Sequence, residues 1–222
     1  MLKVRGYCSR YDFILARCTG RTVLHLGCIG ETDSGLEAKL ESFAKNRALH
    51  SQIMAVTREI VGVDLSGSAV ELLRHKLCIH NIVVGNVERL EDLKLVRTFE
   101  VVVCGDLIEH LDSPGRMLDG IWRLMSPASA IIYTPNAFGL LGNLRFTLSR
   151  FHEGGEHVAA YSKYTLANLL ERHRLTITAL HTCYDRPPRS RKQRLQFGVG
   201  IPYFKLFPER GGTLIVMAKR AN

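Results

Sequence analysis

Asp64, Asp106, Glu109, His110 and His157 are the side chains whose types and surroundings could do chemistry in this 222-residue chain. Asp64 directly follows the apolar run Glu59–Val63 (EIVGV). A carboxylate placed there can accept from both hydroxyls of a ribose. Gly27 ends another run, Thr22–Leu26 (TVLHL), and lets a ligand approach the backbone closely. Asp106, Glu109 and His110 lie in Gly105-Asp106-Leu107-Ile108-Glu109-His110, after the run Phe99–Cys104. His157 lies in Gly154-Gly155-Glu156-His157-Val158, whose glycines suit a flap over a cleft. Imidazole titrates near neutral pH, so His110 and His157 are candidate general bases, with His152 weaker. A plainer reading stands beside each: Glu109-His110 braces the following helix, and His157 braces the flap. Tyr11 could close over a ligand or simply pack. No third acid stands at useful spacing from Asp106 and Glu109, so no metal is expected.

The elements that must position these residues follow from hydrophobic pattern. Short apolar runs at Thr22–Leu26, Glu59–Val63, Asn81–Val84, Phe99–Cys104 and Ala130–Thr134 each end in Gly, Asp or Pro, as buried strands do. Between them, Ser66–Leu77 places Val70, Leu73 and Leu77 on one helical face, and Pro114–Met125 places Met117, Leu118, Ile121 and Leu124 on another, with Asp112 or Ser113 as N-cap. Ser162–His173 reads as a third helix, Phe138–Phe151 as a helix or lid, and Leu175–Leu180 and Thr213–Ala218 as two last strands. Strand–helix alternation of this kind predicts an α/β protein with a doubly wound, mostly parallel sheet. Ligands of such sheets bind outside the carboxyl ends of the strands, where the residues above stand. There is no GxGxxG and no GxxxxGK[ST], so a nucleoside without phosphates suits the pattern better than a dinucleotide.

The order VLHLGC, IVGVDLS, VVGNVERL, FEVVVCGDLIEHLDSPGRML, IIYTPNAFG and EHVAAYSKYTLANLLERH resembles the class I S-adenosylmethionine-dependent methyltransferases. It is most similar to the branch with the ubiquinone-type O-methyltransferases and many glycan and natural-product methyltransferases. The resemblance covers residues 10–180, and its most specific segment is DLIEHLDSPGRML followed by TPN. It implies a Rossmann-like seven-stranded sheet with an antiparallel last strand, and one methyltransferase domain over residues 1–222. It also implies S-adenosylmethionine as cofactor. Gly27 and Cys28 would then wrap its methionine part, and Asp64 its ribose. Leu65, Asn86, Val87 and Glu88 would lie at the adenine, and Cys104, Asp106 and Leu107 at the sulfonium and amino group. Three positions depart from the family's pattern. His25 stands where the first loop usually has an acid. Ile29-Gly30-Glu31 replaces its later glycines, with an extra segment 31–48 after it. Asn86 stands where Asp is common.

Composition bounds the rest. Hydrophobic residues make up 46% and charged residues 23%, which excludes overall disorder and small disulfide scaffolds. No apolar stretch approaches the ~18 residues that cross a bilayer. MLKVRGYCSRYDF lacks the apolar core of a secretory leader. The six cysteines form no CxxC pair and read as reduced thiols, most of them buried, in a cytoplasmic protein. Net charge is +9, and residues 186–222 hold nine Lys and Arg against Glu209 alone. The flap at 138–160 and a basic loop at 185–207 should form the acceptor pocket. An acidic, phosphorylated or lipid-linked acceptor suits those arginines, although a solvated loop is the plainer reading.

The acceptor expected is a small molecule or glycan-type hydroxyl compound. Base methylation in nucleic acid would call for (D/N/S)PP(Y/F) or a Pro-Cys nucleophile after the fourth strand. GDLIEH stands there instead, so no nucleic-acid partner is expected. The alternatives are a nucleic-acid methyltransferase, prompted by the basic tail, and a fold that binds cofactor without turnover.

Overall fold

In β-strand Phe99–Gly105 (β5), Val101 and Val103 turn to one side of the sheet and Val102 and Cys104 to the other, all buried. This two-residue alternation with both faces apolar lets helices cover the sheet on both sides. The computed structural model describes residues 2–30, 35–95, 97–148, 156–184 and 191–221. Its other strands are β1 (Tyr7–Ser9), β2 (Thr22–Leu26), β3 (Glu59–Asp64), β4 (Ile82–Val84), β6 (Met125–Pro135), β7 (Leu175–Tyr184) and β8 (Thr213–Arg220). They form one sheet in the order β1-β7-β8-β6-β5-β2-β3-β4. All pairings are parallel except those of β8, which runs antiparallel to both β6 and β7. The antiparallel last strand stands as expected, but the sheet has eight strands rather than seven. The extra one, β1, is a three-residue edge strand paired with β7 from Tyr7↔Thr182 to Ser9↔Tyr184.

Helices α1 (Arg10–Cys18), α2 (Gly35–Ala44), α3 (Leu49–Met54), α4 (Gly67–Leu77), α5 (Pro114–Leu124), α6 (Leu140–Thr147), α7 (Lys163–Arg172) and α8 (Arg191–Leu206) complete the fold. On one face Met117, Leu118 and Ile121 of α5 and Leu166 and Leu170 of α7 pack on Val102, Ile132 and Val216. On the other, Phe13 and Ile14 of α1 and Ile53 of α3 pack on Val23, Val103 and Ile215. Helix starts obey local chemistry. Ser66 and Ser162 cap α4 and α7 through their side chains, and Ser162 with Thr165 closes a capping box. Ser113 holds the N-cap position of α5 without a side-chain hydrogen bond, and Pro114 is preset for the first turn.

Residues 191–206 form helix α8, where a loop was expected. The Arg, Lys, Gln and Leu of its first half are good helix formers, and Gly198, Gly200 and Pro202 do not stop it. In the flap, α6 ends at Thr147, and residues 149–155, including His152, lie outside the described residues. Among the described residues no helix is long and apolar enough to cross a membrane. All six cysteines are free; Cys18, Cys28, Cys104 and Cys183 are buried.

The strand order fixes where a ligand can sit. From β2 the chain moves outward through β3 and β4, then returns to lay β5 on the other side of β2. The switch point lies between β2 and β5, so the cleft opens where Gly27 and Gly105 end those strands.

Candidate functional site

Gly27 leaves β2 at φ +64°, and a Cβ there would meet Leu107 at 3.1 Å. A side chain would be strained and crowded, so the turn to Gly30 stays bare toward the cleft. Asp64 holds that turn. Its buried carboxylate accepts from Ile29 N at 2.8 Å through one oxygen and from Ser66 N at 3.1 Å through the other. A carboxylate offers about four lone-pair sites, so each oxygen keeps one for a ligand. At the edge strand, Asn86 Oδ1 accepts from Glu88 N at 2.8 Å, and Glu88 Oε1 accepts from Ser113 N.

These residues surround a cavity of about 460 Å³. Of the expected cofactor contacts, Gly27, Asp64, Leu65, Asn86, Val87, Glu88, Asp106 and Leu107 line it. Cys28 lines an adjoining cavity of about 500 Å³, which shares Gly27, Gly30, Asp106 and His110 with the first. Cys104 is a correction. Its side chain is fully buried in the core beneath α5, with Sγ 3.6 Å from Met117 Sδ. The alternation of β5 turns it away from the cleft.

The strand-end loop after β5 is built around two constraints. A Cβ on Gly105 would fall 1.6 Å from Tyr133 Cζ, so only glycine fits. Asp106 then takes a left-handed φ of +45°, which Asp tolerates better than most side-chain-bearing residues. Its carboxylate is held by Arg10 Nη1 at 2.5 Å, and that guanidinium lies 4.6 Å from the Tyr133 ring centre. Arg10 opens α1 immediately after its N-cap Ser9. Neither Arg10 nor Tyr133 stood out in the sequence; Tyr11 did, and it lines the larger cavity.

Past Asp106, Glu109 is almost wholly buried, at 1% exposure. Oε2 accepts from Thr134 Oγ1 at 3.0 Å, while Oε1 has no hydrogen-bond partner among the described residues. Burial raises the pKa of its carboxyl group. The Glu109 backbone carbonyl accepts from Val158 N at 2.8 Å and Ala159 N at 3.1 Å, pinning the flap's end beside it. His110 Nδ1 lies 3.2 Å from Glu156 O, and the His110 and His157 rings meet edge to face at 4.8 Å. Ligand atoms of Glu109, His110 and His157 all lie within 4.8 Å of one another. Both histidines predicted from sequence are therefore brought together, together with the carboxylate between them. The sequence reading sought a third acid for a metal and found none; the nearby donors are imidazoles. Glu109 and His157 also line a third cavity, of about 350 Å³, bounded by Asn136, Asn143 and Phe146.

His25 occupies the place of the first loop's usual acid. It is buried, with Nδ1 3.2 Å from Nδ1 of His50 on α3 and the rings stacked. Burial lowers both pKa values, that of His50 to about 4. The pair is neutral at pH 7, so His25 itself brings no charge to the place where an acid is usual.

The cleft at the switch point thus presents the Asp64 carboxylate beside the bare Gly27 turn. A family profile described as "Methyltransferase domain" matches residues 45–133. That match and the likenesses below support a class I methyltransferase with S-adenosylmethionine as cofactor. It is 30% identical over 141 residues to a ubiquinone biosynthesis O-methyltransferase of Xanthomonas oryzae, covering 59% of this chain and 52% of that one. It is 29% identical over 151 residues to the mouse small RNA 2'-O-methyltransferase, covering 59% of this chain and 34% of that one. The chain thus spans about half or less of the length of these curated relatives. In fold it is similar to an S-adenosylmethionine-dependent methyltransferase from Clostridium acetobutylicum, with TM-score 0.58 at 13% identity, covering 96% of this chain and 91% of that one. It is also similar to the magnesium protoporphyrin IX methyltransferase of Synechocystis solved with bound SAH, with TM-score 0.54 at 15% identity, covering 95% and 82%. The RNA relative removes support for excluding nucleic acid. The motifs whose absence argued against it belong to base methylation and say nothing about ribose hydroxyls.

Proposed function

We propose that this chain transfers a methyl group from S-adenosylmethionine to a hydroxyl oxygen of a small-molecule or glycan-type acceptor. The observation that carries this reading is the meeting of Glu109, His110 and His157 where the nucleoside cleft joins the 350 Å³ cavity. The bound cofactor supplies a methyl group on a positively charged sulfur. Asp64 holds the sugar, the bare Gly27 turn lets the cofactor lie against the backbone, and the flap end at 156–160 shields the reacting groups from water. The acceptor hydroxyl enters past Asn136 and Asn143 and must lose a proton as its oxygen is methylated. His157 or His110 takes that proton, a contribution of about 10²–10⁴-fold in rate. Among the described residues, the lining of this cavity includes no lysine or arginine. That favours an uncharged acceptor over the anionic one suggested by the basic stretch. The free cysteines fit a cytoplasmic setting.

A second reading of the cluster rests on one observation, the partnerless buried Oε1 of Glu109. One carboxylate and two imidazoles form a donor set for a divalent cation such as Zn²⁺ or Mn²⁺. A cation there would satisfy Oε1 and make the acceptor hydroxyl more acidic. The test is turnover of a hydroxyl-acceptor panel by the wild type, His110→Ala and His157→Ala, each with and without chelator. Under direct base catalysis, His110→Ala or His157→Ala lowers kcat by about 10²-fold or more, and chelator changes nothing. Loss on chelation, restored by Mn²⁺ or Zn²⁺, selects the cation reading. Full turnover by both variants refutes the cluster's role in either form.

A further inference from the structure

Two asparagines line the 350 Å³ cavity, and their amides are committed differently. Asn136 is spent on the fold. Its Nδ2 donates to Gly211 O at 2.7 Å and Glu209 O at 3.2 Å, and its Oδ1 accepts from Phe138 N at 3.1 Å. Asn143 donates to Gly139 O at 2.9 Å and Ala137 O at 3.2 Å, which uses both hydrogens of its amide. Two carbonyls can face only the NH₂ end of an amide, so this side chain cannot flip. Its Oδ1 accepts no hydrogen bond among the described residues, and of its polar atoms this one is left for a ligand. Gly139, Gly142, Asn143 and Phe146 all line the cavity, and their spacing puts them on one helical face. A Cβ on Gly142 would meet nothing within 4 Å, so there is open space at that wall. Phe146 lines the cavity yet is 72% exposed, so its ring is largely unpacked. Glu109 and His157 line both this cavity and the 500 Å³ one, whereas Gly142, Asn143 and Phe146 line this one alone.

We infer that Asn143 determines specificity for the methyl acceptor: its Oδ1 receives a hydrogen bond from a second donor on that molecule, an O–H or N–H apart from the hydroxyl that is methylated. This rests on the proposed function and narrows it to an uncharged ring that carries at least two such groups. The ring lies over Gly142 and against Phe146, with the reacting hydroxyl at Glu109 and His157 and the second donor at Asn143. Apolar walls take the ring, and the two polar contacts fix its orientation. The Asn143 amide is held in place before binding, so little ordering is needed to make the contact. A ring without the second donor forgoes one neutral hydrogen bond, a difference of about 3–10-fold.

The experiment measures kcat/KM per hydroxyl on the full chain for phenol, the dihydroxybenzenes and the methoxyphenols, with S-adenosylmethionine saturating. The wild type should prefer at least one dihydroxybenzene over phenol, and over its own methoxyphenol, by about 3–10-fold. Asn143→Ala should reduce that preference to less than about twofold while S-adenosylhomocysteine binds as in wild type by calorimetry. Equal loss on every probe would show that Asn143 only braces the start of α6 through Ala137 and Gly139, and would overturn the inference. So would an unchanged preference. Gly142→Leu tests the ring's place without touching those hydrogen bonds. Its side chain enters open space and leucine is the better helix former, so Tm should not fall. KM for every ring probe should rise about 10-fold or more, and an unchanged KM would overturn the placement of the ring. Methylation of the probes by wild type with no preference for a second donor overturns this inference alone. A wild type that methylates none of them overturns the proposed function, and this inference with it.

Discussion

Asp64→Asn separates the structural task of Asp64 from the sugar binding proposed for it. In the wild type one lone pair on each oxygen is committed to the protein, to Ile29 N at 2.8 Å and Ser66 N at 3.1 Å. The amide keeps the volume and one acceptor oxygen, but it loses the charge and turns an NH₂ toward one of those donors. Hydrogen bonds to a charged group contribute roughly 1.5–3 kcal/mol each. Weakening the two that a ribose diol makes should therefore raise Kd by about 10²-fold, at 1.4 kcal/mol per tenfold. Asp64→Ala removes both acceptors, leaving Ile29 N and Ser66 N without this partner, and should also cost about 2–5 kcal/mol of stability. The assay is calorimetric titration with S-adenosylhomocysteine, alongside thermal unfolding to establish that each variant is folded. A folded Asp64→Asn protein binding within about threefold of wild type would refute the sugar assignment, because that shift is under 1 kcal/mol.

Two further outcomes follow from the walls of the cleft. Gly105→Ala forces a Cβ to 1.6 Å from the Tyr133 ring, which is itself held under Arg10, and should cost about 1–3 kcal/mol or more. Differential scanning calorimetry should read a drop of several degrees at this chain length, and an unchanged Tm would mean the strand end yields freely. His50 has a folded pKa of about 4 against an ordinary 6.5, so the unfolded chain takes up its proton first as pH falls. Its contribution is intact above about pH 6.5 and is lost progressively toward pH 4, by about 3 kcal/mol. Thermal unfolding of the wild type should therefore fall more steeply across that window than that of His50→Gln; parallel profiles would rule out this source of acid sensitivity.

The parts of the fold that were legible are those whose cause is local. The runs at Val23, Ile60, Val101 and Ile131 are buried on both faces and flanked by turn residues, and each became a strand. Asp64 and the residues after β4 were found because strand order alone brings them to one rim. Strand β1 was missed because Tyr7-Cys8-Ser9 has no pattern of its own and exists through pairing with β7. Cys104 was misassigned although the two-residue period was available: Val102 and Cys104 share a face, and that face packs on Met117. The joining of Glu109 to His157 was not legible, because it depends on backbone hydrogen bonds across 49 and 50 positions, from Val158 and Ala159 to one carbonyl.

The two halves of the cleft are held by different kinds of force, and this divides their roles. The half that the proposed function gives to the nucleoside is made of strand ends inside the central sheet, with Asp64 tied to two backbone amides and Gly27 N donating to Val63 O at 2.9 Å. Moving it would break the pairing of β2 with β3, so its shape is fixed in advance of binding. Among the described residues the other half is attached through Val158 and Ala159 on Glu109, Asn136 on Gly211 and Gly212, the bridge from Asn136 to Tyr161, and α6, which buries none of its side chains. Segments with so little buried apolar contact open at low free-energy cost. Glu109 sits at the join, fully buried yet anchoring the flap through its carbonyl and presenting its carboxylate to the cluster. Under the proposed function, bringing His110 and His157 together and shielding the acceptor from water depend on the same attachment, that of Val158 and Ala159 to Glu109.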